Sequence, residues 1–179
     1  MKEKALFPAP QDDLAKGIRE LLARSEELGL LTKNYSVWGA SAGGHLTASF
    51  GTKHLGYEKY GLPKPAALIL SYPVISMDPK LTHRGSHDAL LGREAAPEME
   101  IKTSIEQQVD GDYPDTFLWV GEKDQTVQPE NTTRMDEALS HAGVRHAVER
   151  YPELDHGLGP ASGTPAEGWI ERAVSFWLG

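Results

Sequence analysis

Two uninterrupted apolar runs constrain this chain more than anything else in it: Ala66–Val74 (Ala-Ala-Leu-Ile-Leu-Ser-Tyr-Pro-Val) and Thr116–Val120 (Thr-Phe-Leu-Trp-Val). A strand with one face in water alternates apolar and polar residues. A strand that is apolar throughout needs cover on both faces, which is the condition of a parallel sheet flanked by helices. Asn34–Gly39, with Tyr35, Val37 and Trp38, reads as a further strand, and Val148–Tyr151 as a short one. Helical spacing fills the gaps. Leu14, Ile18, Leu21, Leu22 and Leu28 follow Pro8 and Pro10, with Asp12 and Asp13 at the positive helix end and Gly29 as a stop. Ala40–Phe50 suits a short buried helix. Pro129 opens another, with Met135, Ala138, Leu139 and Ala142 inward and Gly143 capping. Thr164 and Pro165 open the last, packed through Trp169, Ile170, Ala173, Val174 and Trp177. Residues 76–112 are polar and irregular, with at most a short helix at Pro97–Gln108. Strands alternating with helices predict an α/β fold: a mostly parallel sheet, helices on both faces, right-handed crossovers. With 179 residues the expectation is one domain over 1–179, in which 76–112 forms a cap or pocket wall.

Composition narrows the function. The chain has no cysteine, which removes disulfides, Cys-ligated metal and a thiol nucleophile. Eighteen basic against 26 acidic side chains give a formal charge of −8 without any Lys/Arg-rich block, which argues against nucleic acid or an anionic membrane as partner. The start at Met1 is charged and lacks an apolar stretch of signal-peptide length, so the expected location is cytoplasmic.

In a parallel α/β sheet the working groups sit on loops at the carboxyl ends of strands. Gly39-Ala40-Ser41-Ala42-Gly43 lies between a strand and a helix. A serine at so sharp a turn needs neighbours without bulk, and the turn presents its hydroxyl while the Ala42 N–H can face a developing oxyanion. The hydroxyl needs a base and the base a carboxylate, in the chain order serine, acid, histidine. Asp124 follows the strand Thr116–Val120, and His156 follows the strand ending near Tyr151. Among competing acids, Glu122 sits nearer the strand, Asp155 adjoins His156 in sequence, and Asp110, Asp112 and Asp115 precede their strand and so fall at the opposite sheet end. His45 reads as a packing or supporting group on the nucleophile helix. His83 and His87 have the helical spacing of metal ligands, but Gly85 between them argues for a loop. No zinc, calcium or phosphate-loop pattern is present, and neither metal nor cofactor is expected.

These residues resemble the α/β-hydrolase superfamily, in its bacterial esterase/lipase branch with acetyl-xylan-esterase-like sugar deacetylases. The likeness rests on Val37-Trp38-Gly39-Ala40-Ser41-Ala42-Gly43-Gly44-His45, Tyr72-Pro73-Val74, His83-Arg84-Gly85-Ser86 with Leu90-Leu91-Gly92, Gly121-Glu122-Lys123-Asp124 with Val127, and His156-Gly157-Leu158-Gly159. It implies Ser41 as nucleophile, His156 as base then acid, Asp124 as its orienting partner, and hydrolysis of short-chain carboxylic esters, acetylated sugars among them. The same triad chemistry also admits a prolyl-oligopeptidase-type peptidase. In that superfamily several strands and a His-Gly-Gly-type oxyanion loop precede the helix that opens this chain, so the resemblance is to a truncated fold, about the C-terminal two-thirds. Two expectations follow: strand 34–39 lacks a neighbour, its edge being covered by a second copy of the chain, by a rearranged segment, or by nothing at some cost in solubility; and turnover is weakened by about 10²–10³ per missing oxyanion donor, restored where the missing part is supplied in trans, or absent in a non-catalytic remnant.

Overall fold

The structure, a computed structural model, describes residues 6–179; the charged start Met1–Ala5 lies outside the described residues. Four strands, β1 (Ser36–Ala40), β2 (Ala67–Ser71), β3 (Asp115–Gly121) and β4 (His146–Tyr151), hydrogen-bond in that order, all parallel. The apolar runs are the two central strands, and their alternate residues feed two cores. Leu68, Leu70 and Leu118 point toward α3 (Ala42–Phe50) and α6 (Glu130–Ala142), meeting Ala48, Met135 and Leu139. Ala67, Ile69, Phe117 and Trp119 point the other way, onto Trp169 and Ala173 of α7 (Trp169–Leu178). Each side chain named here is at least nine-tenths buried. Helices on both faces thus supply the cover that the sequence pattern demands.

Several boundaries differ from expectation. The second strand stops at Ser71 because Tyr72 takes φ 37°, turning the chain before Pro73 and Val74. The opening helix is two: α1 (Ala9–Ala23) and α2 (Ser25–Leu28), the latter closed by Gly29 at φ 64°. Its buried stripe is Gln11, Ala15 and Ile18, packed on Phe50, Tyr57 and Leu62, while Leu21 and Leu28 stay exposed. Residues 76–112 are more ordered than their polarity suggests, holding α4 (Arg84–Leu90), α5 (Pro97–Thr103) and a 3₁₀ turn at Ile105–Gln107. Gly85 does not make a loop: His83 caps α4 by accepting the Ser86 N–H, and Gly85 lies inside the helix. The last helix begins at Trp169, not at Thr164-Pro165, because Gly168 takes φ 80° immediately before it.

Among the described residues β1 pairs only with β2, and no strand is hydrogen-bonded to its other edge. Beside it runs an apolar groove of about 580 Å³ lined by Leu21, Leu30, Leu31, Val37, Trp38 and Trp177 among others. Among the described residues no helix is long and apolar enough to cross a membrane.

Candidate active site

Ser41 is the one residue between β1 and α3, and its backbone is at φ 54°, ψ −123°. Positive φ is costly for a serine, on the order of 1–3 kcal/mol, and persists only where the surroundings enforce it. The enforcement is visible. The Ser41 N–H donates to Ser71 O at 3.0 Å, and the Val74 N–H donates to Ser41 O at 3.1 Å, so the chain leaving β2 grips the serine from both sides. Two glycines make room for this. A Cβ on Gly39 would sit 2.1 Å from Gly43 O, and one on Gly44 would sit 2.6 Å from Pro73 Cβ. Gly43, the second glycine of the expected pattern, faces open space. Ala42 takes the first position of α3, where the backbone N–H has no intrahelical acceptor and the helix dipole is positive.

Asp124 lies past the end of β3 and His156 past the end of β4, and the structure brings both to Ser41. His156 Nε2 is 2.9 Å from Ser41 Oγ, and His156 Nδ1 is 2.6 Å from Asp124 Oδ2. The Asp124 carboxylate is 2% exposed, and its other oxygen accepts the N–H groups of Thr126 (2.9 Å) and Val127 (2.8 Å). With Oδ1 so occupied, Oδ2 is left to accept from the imidazole, and the ring nitrogen facing Ser41 is then free to accept a proton. The Tyr72 ring stands edge-on to the His156 ring, centroids 4.8 Å apart, and Tyr72 Oη accepts the Gly159 N–H.

The competing acids have other partners. Glu122 pairs with Arg150, Asp110 and Asp112 with Lys53, and Asp115 with Arg145. Asp155 does contribute: its carboxylate accepts the His156 N–H at 2.7 Å and the Gln125 N–H at 3.4 Å, fastening the histidine loop to the acid turn. His45 is buried under the serine turn with Nε2 2.7 Å from Thr103 O, and burial pushes its imidazole down to about 4, so it is neutral there. His83 and His87 do not converge, for His83 caps α4 while His87 is wedged between Asp88 and Glu100. Among the described residues no three His, Asp or Glu side chains are grouped to hold a metal ion. A cleft of about 300 Å³ opens beside Ala42 and Gly43, walled by Leu46, Met77, Ser86 and Leu90. In the sequence Tyr72 and Val74 stand only within a motif of the resemblance and Asp155 only as a competing acid; their contacts with Ser41, His156 and Gln125 set their places at the site.

A parallel sheet with a serine at a strand-to-helix turn, and an acid and a histidine on successive later loops, is the architecture of an α/β hydrolase. The BD-FAE family model matches residues 1–139, and the chain belongs to that family, on its acetyl-xylan-esterase-like branch. Endo-1,4-β-xylanase B of Butyrivibrio fibrisolvens is 30% identical over 171 residues, covering 92% of this chain and 27% of that protein. Acetylxylan esterase of Xylanibacter ruminicola is 29% identical over 173 residues, covering 94% and 35%. The chain therefore spans about a third or less of these curated relatives. Among solved structures, the acetyl ester-xyloside bifunctional hydrolase of Caldicellulosiruptor lactoaceticus superposes with a TM-score of 0.83 at 32% identity, covering 96% of this chain and 68% of that one.

Proposed function

We propose that the protein is a serine hydrolase of short-chain carboxylic esters, acting on acetylated sugars. Ser41 Oγ attacks the ester carbonyl as His156 Nε2 takes its proton, and the oxyanion of the tetrahedral intermediate forms toward the Ala42 N–H. Collapse breaks the bond to the alcohol oxygen, which leaves with the proton from His156, and an acyl-serine remains. A water, deprotonated by the same nitrogen, then attacks the acyl carbon; the acid departs and Ser41 regains its proton. Asp124 accepts from Nδ1–H throughout and holds the imidazole in the productive tautomer. The observation that carries this reading is the row of two hydrogen bonds, 2.9 and 2.6 Å, linking the three side chains. The cleft beside Ala42 supports a short acyl group, with the 76–112 segment as its wall. The acetyl-sugar assignment draws support from the names of the Xylanibacter and Caldicellulosiruptor relatives. In this reading p-nitrophenyl acetate and acetylated xylose are both cleaved, and Ser41→Ala abolishes both activities. A Ser41→Ala protein as active as its parent would overturn it.

A further inference from the structure

We infer that Asn131 is a positioning residue that ties the turn holding the acid to the segment gripping the nucleophile. It rests on the assignment of Ser41, His156 and Asp124 made above. Asn131 lies in the first turn of α6 and is fully buried. Its Oδ1 accepts two backbone N–H groups, from Ile75 at 3.0 Å and Ser76 at 3.1 Å. The residue immediately before Ile75 is Val74, whose N–H donates to Ser41 O. On its other side, Asn131 Nδ2 donates to Gln128 O at 3.0 Å, and the Asn131 N–H donates to the same carbonyl at 2.9 Å. Gln128 directly follows Val127, whose N–H, with that of Thr126, holds the Asp124 carboxylate. One amide side chain thus spans the two loops whose spacing fixes the distance from the acid to the serine. An amide is the group that fits: it offers an acceptor with two lone pairs to one loop and a donor to the other. A hydroxyl or a carboxylate lacks one of these arms at that reach.

Displacements of about 1 Å at a reacting centre cost on the order of 100-fold in rate. Loosening this tie therefore acts on turnover and leaves substrate affinity largely alone. The test measures kcat and KM for p-nitrophenyl acetate, with thermal midpoints, on Asn131→Ala, Asn131→Asp and Thr52→Ala. Thr52 Oγ1 is buried, accepts the Leu55 N–H at 3.1 Å and donates to Ser49 O at 2.9 Å, away from both loops, so it controls for loss of stability alone. Asn131→Asp keeps the acceptor for Ile75 and Ser76 and replaces the donor to Gln128 by a carboxylate oxygen facing that carbonyl, which carries the test if the alanine variant does not fold. The expected result is kcat down about 100-fold in both Asn131 variants with KM within threefold, and kcat within threefold of the parent for Thr52→Ala. Asn131→Asp with parental kcat, or an equal kcat loss in Thr52→Ala, overturns the inference. Ser41→Ala is assayed alongside. If it keeps full activity the triad assignment itself fails, whereas an inactive Ser41→Ala with unaffected Asn131 variants refutes the positioning role alone.

Discussion

Gly44, rather than the second glycine of the expected pattern, joins Gly39 as a residue the serine turn cannot replace. In Gly44→Ala the new methyl would lie 2.6 Å from Pro73 Cβ and 2.9 Å from Pro73 Cα. Carbon atoms rest at about 3.5–4.0 Å, so Pro73 must retreat by roughly 1 Å. Val74 is bonded to Pro73, and its N–H reaches Ser41 O at 3.1 Å. A retreat of that size breaks the bond. Overpacking of this kind costs about 1–3 kcal/mol and the lost hydrogen bond about 1 kcal/mol. The gain in helix propensity from glycine to alanine returns at most about 1 kcal/mol. The net expectation is a loss of about 2 kcal/mol, with kcat reduced by on the order of 100-fold as the serine loses one side of its grip. Gly43→Ala meets no atom within 4 Å and should keep stability, or gain up to about 1 kcal/mol in α3. Urea titrations followed by tryptophan fluorescence, paired with ester hydrolysis, read both effects. A Gly44→Ala protein matching its parent, or a Gly43→Ala protein as damaged as Gly44→Ala, would refute the reasoning.

Other consequences can be checked separately. His45 is held neutral with its imidazole pushed down to about 4 from 6.5, so the unfolded chain binds the extra proton. Stability is therefore lost as pH falls from 6.5 to 4, by about 3 kcal/mol at ~1.4 kcal/mol per pH unit, and His45→Gln should flatten that slope in urea titrations. An unchanged slope would mean that the ring is charged in the fold. Burial raises the Glu106 carboxyl, with Arg134 at 3.8 Å and the Ser76 hydroxyl offsetting only part of the effect, so its ionisation weakens the fold as pH rises above the ordinary glutamate range. Glu106→Gln should then melt higher than the parent at pH 8, with the difference closing toward pH 4. Among the described residues Lys33 is the one charged residue lining the apolar groove at the open edge of β1, so local charge opposes the meeting of two copies there only weakly beside the −8 each carries. Sedimentation velocity should show self-association that Leu31→Asp abolishes, Leu31 being 85% exposed; a monomeric parent with fast-exchanging β1 amides would contradict this.

The fold was legible where burial is written into composition. Ala66–Val74 and Thr116–Val120 read as central strands, the first ending early at Ser71, and the two cores follow from their alternation. The candidate site was legible through placement: Ser41, Asp124 and His156 each follow a separate strand, and a parallel sheet gathers such loops at one rim. What escaped depends on contacts between distant segments. Gly43 and Gly44 are indistinguishable in sequence until Pro73 is known to press on one of them. Tyr72 reads as part of an apolar strand, yet its ring abuts His156, and Asn131 reads as an ordinary early helix residue. Leu21 and Leu28 show the converse error, since apolar residues at helical spacing need not face the core that forms. Gly85 and the polarity of its neighbours hid α4, which is held by the His83 cap and the buried His87 between two carboxylates.

The account stands on Ser41 being a nucleophile activated by the imidazole 2.9 Å away. Intact-mass spectrometry of the folded protein after exposure to a fluorophosphonate measures this directly. The expected result is one adduct per chain, mapped to Ser41, absent in Ser41→Ala and formed far more slowly in Asp124→Asn. A folded protein that takes no adduct, or takes it at another residue, would contradict the account.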